Sequence, residues 1–139
     1  SEAVRLVNEG VEVTFPVNGR SMRPFIEGGR DSVVLVKPGE VKRLDVVLAR
    51  TDTGRFVVHR IVSLDGGRVT LMGDGNLCGR ETCGMDGVLA KVTHVVRPGG
   101  KRIPLEMPRM RLAVKMWVAL LPFRRILLKL YRVCHRIGN

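Results

Sequence analysis

Six short valine-rich runs, separated by stretches that carry glycine, proline or aspartate, constrain this chain more than anything else: VEVTFPV (11–17), SVVLVK (32–37), VVLAR (46–50), RFVVHRIVSL (55–64), RVTLM (68–72) and VLAKVTHVV (88–96). β-Branched side chains fit a pleated, half-buried surface, and runs of this length are strand-sized. The TDTG and DGG segments between consecutive runs have hairpin composition, so the strands are expected to pair antiparallel with their sequence neighbours. The expected fold is mainly β: a strongly bent antiparallel sheet with a barrel-like body. Before it, Val4, Leu6 and Val7 lie on a short helix that Gly10 ends. With 139 residues there is material for one hydrophobic core and an appendage.

That appendage is the tail. Eight of the eleven units of net positive charge are carried by Lys and Arg from Arg109 onward, and no acid follows Glu106. The expected division is therefore a β-rich domain over 1–108 and a basic helical tail over 109–139. Advancing about 100° per residue puts Arg111, Lys115, Arg125, Lys129, Arg132 and Arg136 in a sector of roughly 120°, with apolar side chains over much of the rest. Pro122 is expected to bend or interrupt this amphipathic helix. Its longest uncharged run, 116–123, is far short of the roughly 20 residues needed to cross a bilayer. Charge concentrated in a tail, and not along the body, argues against nucleic acid and for an anionic membrane surface. The expected location is peripheral, on a bacterial cytoplasmic membrane. SEAVRLVNEG has no apolar run long enough for a signal peptide or a span.

Three cysteines at irregular spacing do not make a disulfide framework, and Cys78 and Cys83 are expected to be reduced thiols in a loop. No Cys/His pair stands beside them at ligand spacing, so no metal or cofactor is expected.

The densest chemistry lies in GRSMRPFIEGGRDSVVLVKPGE. A serine hydroxyl becomes a nucleophile when a base takes its proton and backbone N–H groups receive the oxyanion. Ser21 follows a strand and Gly19, and Pro24 stiffens the chain beyond it. Many serines in such turns satisfy only local hydrogen bonds. Of three histidines, His135 is in the tail, His94 is in a late strand, and His59 is central in FVVHRIV. Alternation puts His59 on the face of Val57 and Ile61, with Val58 and Arg60 on the other. The next strand ends in LMGDGN, where hairpin pairing brings Asp74 toward His59 to orient the imidazole, or leaves it closing the turn.

Taken together, GRSMRPFI resembles the Ser-Met-x-Pro box of the type I signal peptidase and self-cleaving repressor superfamily. VVHRIV resembles its base-bearing box and LMGDGN its Gly-Asp-Asn box, in the same order and over roughly 13–96. Histidine at the base position is similar to the archaeal and endoplasmic-reticulum type, where many other members carry lysine.

The resemblance implies a peptidase fold over 1–108 and a serine endopeptidase. Ser21 would attack, His59 would act as general base, and the Ser21 amide would sit in the oxyanion hole. Met22 and Pro24 would border a peptide or protein substrate added as an extended strand. For the third member the histidine-type enzymes place an acid a few residues beyond the Gly-Asp-Asn box, which makes Glu81 and Asp86 rivals to Asp74; the expected ranking is Asp74 first, Glu81 second and Asp86 third. Signal peptidases carry a spanning helix before the serine box, and no such helix is expected within residues 1–20. Other readings are a self-cleaving or inactive repressor-type regulatory domain and a non-enzymatic membrane-binding module.

Overall fold

The computed structural model describes residues 2–19, 22–23, 25–75 and 79–120. The chain divides into two compact units, Ser1–Leu105 and Glu106–Asn139. The first opens with helix α1 (Glu2–Asn8), which Gly10 terminates at φ 87. Eight strands follow: β1 (Val13–Pro16), β2 (Ser32–Val36), β3 (Val46–Arg50), β4 (Phe56–Asp65), β5 (Arg68–Met72), β6 (Arg80–Gly84), β7 (Val88–Val96) and β8 (Arg102–Pro104). They form one antiparallel sheet in the order β1-β2-β7-β3-β4-β5-β6, with β8 on β7. The terminal strands β1 and β6 are not paired with each other, so the sheet is open.

The register shifts in three places: between Val34 and Leu35 in the β2–β7 ladder, between Leu48 and Ala49 in β3–β7, and between Ile61 and Ser63 in β4–β5. An extra residue on one strand kinks it and increases its twist. The sheet buries two cores. Val46, Leu48, Ala90, Val92 and Val95 join α1 through Val7, and the 18–31 loop through Met22 and Ile26. Val47, Ala49, Val57, Ile61, Val69, Leu71, Cys83 and Val88 form the second. Alternate residues of β3 thus face opposite cores, which is why Val46, Val47, Leu48 and Ala49 are all buried. A strand covered on both sides has no use for polar alternation, and each buried valine or leucine contributes about 1.5–3 kcal/mol.

Two strands are not among the valine-rich runs. RETCG forms β6, an edge strand with Cys83 as its one buried residue, and RIP forms β8. One inward side chain in five is too little pattern to announce a strand. The expectation of a loop thiol at Cys83 is corrected: it lies in β6, 1% exposed in the second core, and burial raises its pKa. Cys78 lies outside the described residues.

The second unit carries helix α2 (Pro108–Ala119), with proline in its first turn and Leu120 as C-cap. Of the helix expected over the tail, residues 121–139, including the bend at Pro122, lie outside the described residues. No helix among the described residues is long and apolar enough to cross a membrane.

Candidate active site

The 18–31 loop that follows β1 is closed by short-range bonds. The Val17 amide donates to the Asp31 carbonyl at 3.1 Å, the Gly29 amide to the Val17 carbonyl at 2.8 Å, and the Phe25 and Ile26 amides to the Met22 carbonyl at 3.1 and 3.0 Å. The two arms of the loop touch backbone to backbone at Gly28. A Cβ there would lie 1.9 Å from the Gly19 carbonyl oxygen, so only glycine fits.

Asp31 is the loop's anchor. Its carboxylate is fully buried and receives the Glu27 amide at 2.8 Å, Arg30 Nε at 2.9 Å and Arg97 Nη1. Burial alone would raise its pKa, but the bonds from Arg30 and Glu27 and the field of Arg97 outweigh it and hold the carboxyl below its ordinary value. Arg97, just past β7, also reaches the Phe25 carbonyl at 3.4 Å, tying the loop to the sheet.

Ser21 and Pro24, read as nucleophile and substrate-bordering residue, lie outside the described residues. Met22, the other residue expected to border substrate, is 2% exposed and belongs to the first core.

His59 lies opposite Val47 on β3, on the face of the second core, and is 4% exposed. Burial lowers its pKa. Glu81 pulls the other way, Arg55 adds to the lowering, and Asp74 opposes it more weakly than Glu81. The imidazole is therefore neutral at and above its ordinary titration range, as a base must be.

Arg60, the next residue, goes to the opposite face, as alternation requires. Its Nε and Nη2 donate to the two carboxylate oxygens of Asp74 at 2.8 and 2.7 Å, and both side chains are almost wholly buried. Nη1 donates to the Leu44 carbonyl at 2.8 Å, and the guanidinium lies 5.5 Å from the centre of the Phe25 ring. Leu44 is held at φ 79, a backbone conformation that costs a non-glycine residue about 1–2 kcal/mol. One guanidinium thus joins the serine-bearing loop, the histidine strand and the Gly-Asp turn.

Among the three carboxylates weighed as partners of His59, Asp74 is held by Arg60. Glu81 is on β6, opposite Leu71, which is opposite Ile61 on β4; all three share the His59 face. Its Oε1 accepts Arg55 Nη1 at 2.8 Å, while Oε2 is buried with no hydrogen-bond partner among the described residues. Asp86 is exposed in the 3-10 turn Met85–Gly87 before β7.

Beside the histidine the sheet is incomplete. The β4–β5 ladder starts at Arg60 opposite Met72, so among the described residues Phe56–Val58 pair with β3 alone.

Sequence reasoning missed Arg60, Asp31 and Arg97. Arg60 was legible in principle: a cation in a strand buried on both faces must find a buried anion. Asp31 and Arg97 carried no such signal, since their pairing spans 66 positions. Among the described residues no group of His, Cys, Asp and Glu is arranged to hold a metal ion. No protein-family model, curated protein or solved structure matches this chain.

Proposed function

We propose that this chain is a signal-peptidase-like serine endopeptidase in which the Ser21 hydroxyl attacks the scissile carbonyl and His59 takes its proton. The observation that carries this reading is the convergence on Arg60 of three segments far apart in sequence, those bearing Ser21, His59 and Asp74. The buried, neutral imidazole stands one residue along β4 from that guanidinium and on the opposite face of the strand, and the Glu81 carboxylate on its own face supports the assignment of His59 as base.

In mechanism, deprotonation of Ser21 places positive charge on the imidazole, which its buried environment disfavours. A carboxylate on the same face offsets that cost through its field. We assign this role to Glu81, because its field on His59 exceeds that of Asp74 and its Oε2 has no other donor among the described residues. Asp74 then serves as Arg60's counterion and holds the junction together. An extended peptide adding to β4 at Phe56–Val58 would bring its scissile bond to the residue that follows them, His59.

The test is cleavage of a peptide library by the full chain, read by mass spectrometry. Ser21→Ala and His59→Ala should each lose about a thousandfold or more in rate while circular dichroism stays unchanged, because residues acting as a unit fail together. Equal cleavage by wild type and Ser21→Ala would end the proposal.

A further inference from the structure

On α2, Leu112 and Met116 are 60% and 58% exposed, and Leu120 at the C-cap is 40% exposed. They stand four residues apart, so they form one continuous apolar stripe along the helix. Large side chains left in water in such an array mark a surface that something covers. Arg109, Arg111 and Lys115 are exposed on the same helix, which has no acid in it. Ahead of the helix, Glu106 lies 3.9 Å from Arg111.

An apolar stripe on a helix that carries three exposed cations, with a single acid ahead of it at Glu106, fits a surface that is apolar below and anionic above. A second copy of this helix would set like charges against each other, and a nucleic acid would leave three apolar side chains in water. We infer that α2 is a membrane-docking helix: Leu112, Met116 and Leu120 enter the headgroup boundary of an anionic bilayer, and Arg109, Arg111 and Lys115 pair with lipid phosphates. The long stems of the two arginines and the lysine let their charged ends rise to the headgroups while their carbons lie along the apolar face. This surface is independent of the peptidase reading and stands or falls without it.

Trp117 on the same helix is the chain's single tryptophan, so its fluorescence reports on α2 alone. The full chain is titrated with vesicles of phosphatidylcholine and with vesicles containing phosphatidylglycerol. The emission should shift to shorter wavelength and the protein co-sediment with the anionic vesicles only. Replacing Arg109, Arg111 and Lys115 together by glutamine should weaken partitioning by about 100-fold, at roughly 1 kcal/mol for each cation. Leu112→Glu with Met116→Glu should abolish it, with circular dichroism unchanged. Undiminished co-sedimentation of the glutamate variant, equal binding to neutral vesicles, or a concentration-dependent dimer that the glutamate variant dissociates would each overturn the inference.

Discussion

His59 and Arg60 are consecutive in β4 and serve opposite faces of the sheet, the imidazole toward the second core with Glu81, the guanidinium toward Phe25 and Asp74. The two halves of the junction are therefore separable by mutation. Removing Asp74 leaves a buried guanidinium without its anion, which costs about 3–5 kcal/mol. Asp74→Ala should lower the urea midpoint accordingly. The double variant Arg60→Met, Asp74→Leu should be much closer to wild type, because it removes both charges and keeps the volume. If Asp74→Ala were instead fully stable and lost only cleavage, Asp74 would be an acid of the reaction and not a structural counterion.

The pH response of His59 follows from the direction of its shift. Burial puts the folded pKa below the unfolded value of about 6.5. The unfolded chain then binds more protons than the native one, so stability rises with pH. The penalty for burying the ring sets in below about pH 6.5, grows as pH falls to the folded pKa, and levels off beneath it. Cleavage should fall over the same window, with its midpoint below 6.5. Glu81→Gln removes a field that favours the imidazolium, so the His59 titration seen by proton NMR should move lower still, and cleavage should drop by about two orders of magnitude. A His59 midpoint unmoved by Glu81→Gln would remove Glu81 from the site.

Gly28 and Gly29 are adjacent, yet they are glycine for different reasons. Gly29 has φ +79 and open space around its α-carbon, whereas a methyl on Gly28 would meet the Gly19 carbonyl oxygen at 1.9 Å and the Gly19 nitrogen at 2.5 Å. Backbone atoms cannot rotate away, so Gly28→Ala must spread the two arms of the loop that carries Ser21. It should cost about 1–3 kcal/mol, as overpacking does, and should reduce cleavage well beyond what lost stability explains. Gly29→Ala strains one residue by about 1–2 kcal/mol and should leave the rate per folded molecule unchanged. Urea unfolding and single-turnover cleavage of both variants make the comparison.

The strands that hold the site were legible because valine runs are a local signal. Five of the six expected runs match observed strands to within a residue at either end, from β2 at Ser32–Val36 to β7 at Val88–Val96, and only the first is trimmed by two residues at its start. Even the facing of His59 and Arg60 followed from alternation. What could not be read was long-range pairing. Hairpin pairing left Asp74 either near the imidazole or closing the turn, and nothing local announced that its carboxylate takes the two parallel donors of Arg60, the residue next to His59. β6 went unseen for a related reason, since Arg80, Glu81 and Thr82 alternate around a single buried cysteine. Glu81, ranked behind Asp74 from spacing alone, gains weight only when the β5–β6 register carries it onto the histidine face.

Asp31 makes the loop acid-labile. Its side chain is fully buried and bonded to Arg30, Arg97 and the Glu27 amide, and its folded pKa lies below the unfolded value of about 3.9. The stabilisation is complete above that unfolded value and is lost as pH falls through the folded one, since the protonated acid no longer holds two arginines. Asp31→Asn keeps the shape and one acceptor but removes the charge, so it should be less stable than wild type at pH 6. Between about pH 4 and pH 2 the gap in urea stability should close, because wild type loses what the variant never had. Hydrogen exchange at the Glu27 and Gly29 amides locates the effect in the loop, where protection should fall in the variant at pH 6 but not in β3. A stability gap that stays constant across that range would mean that the Asp31 charge contributes nothing, and that the loop is held by its backbone bonds alone.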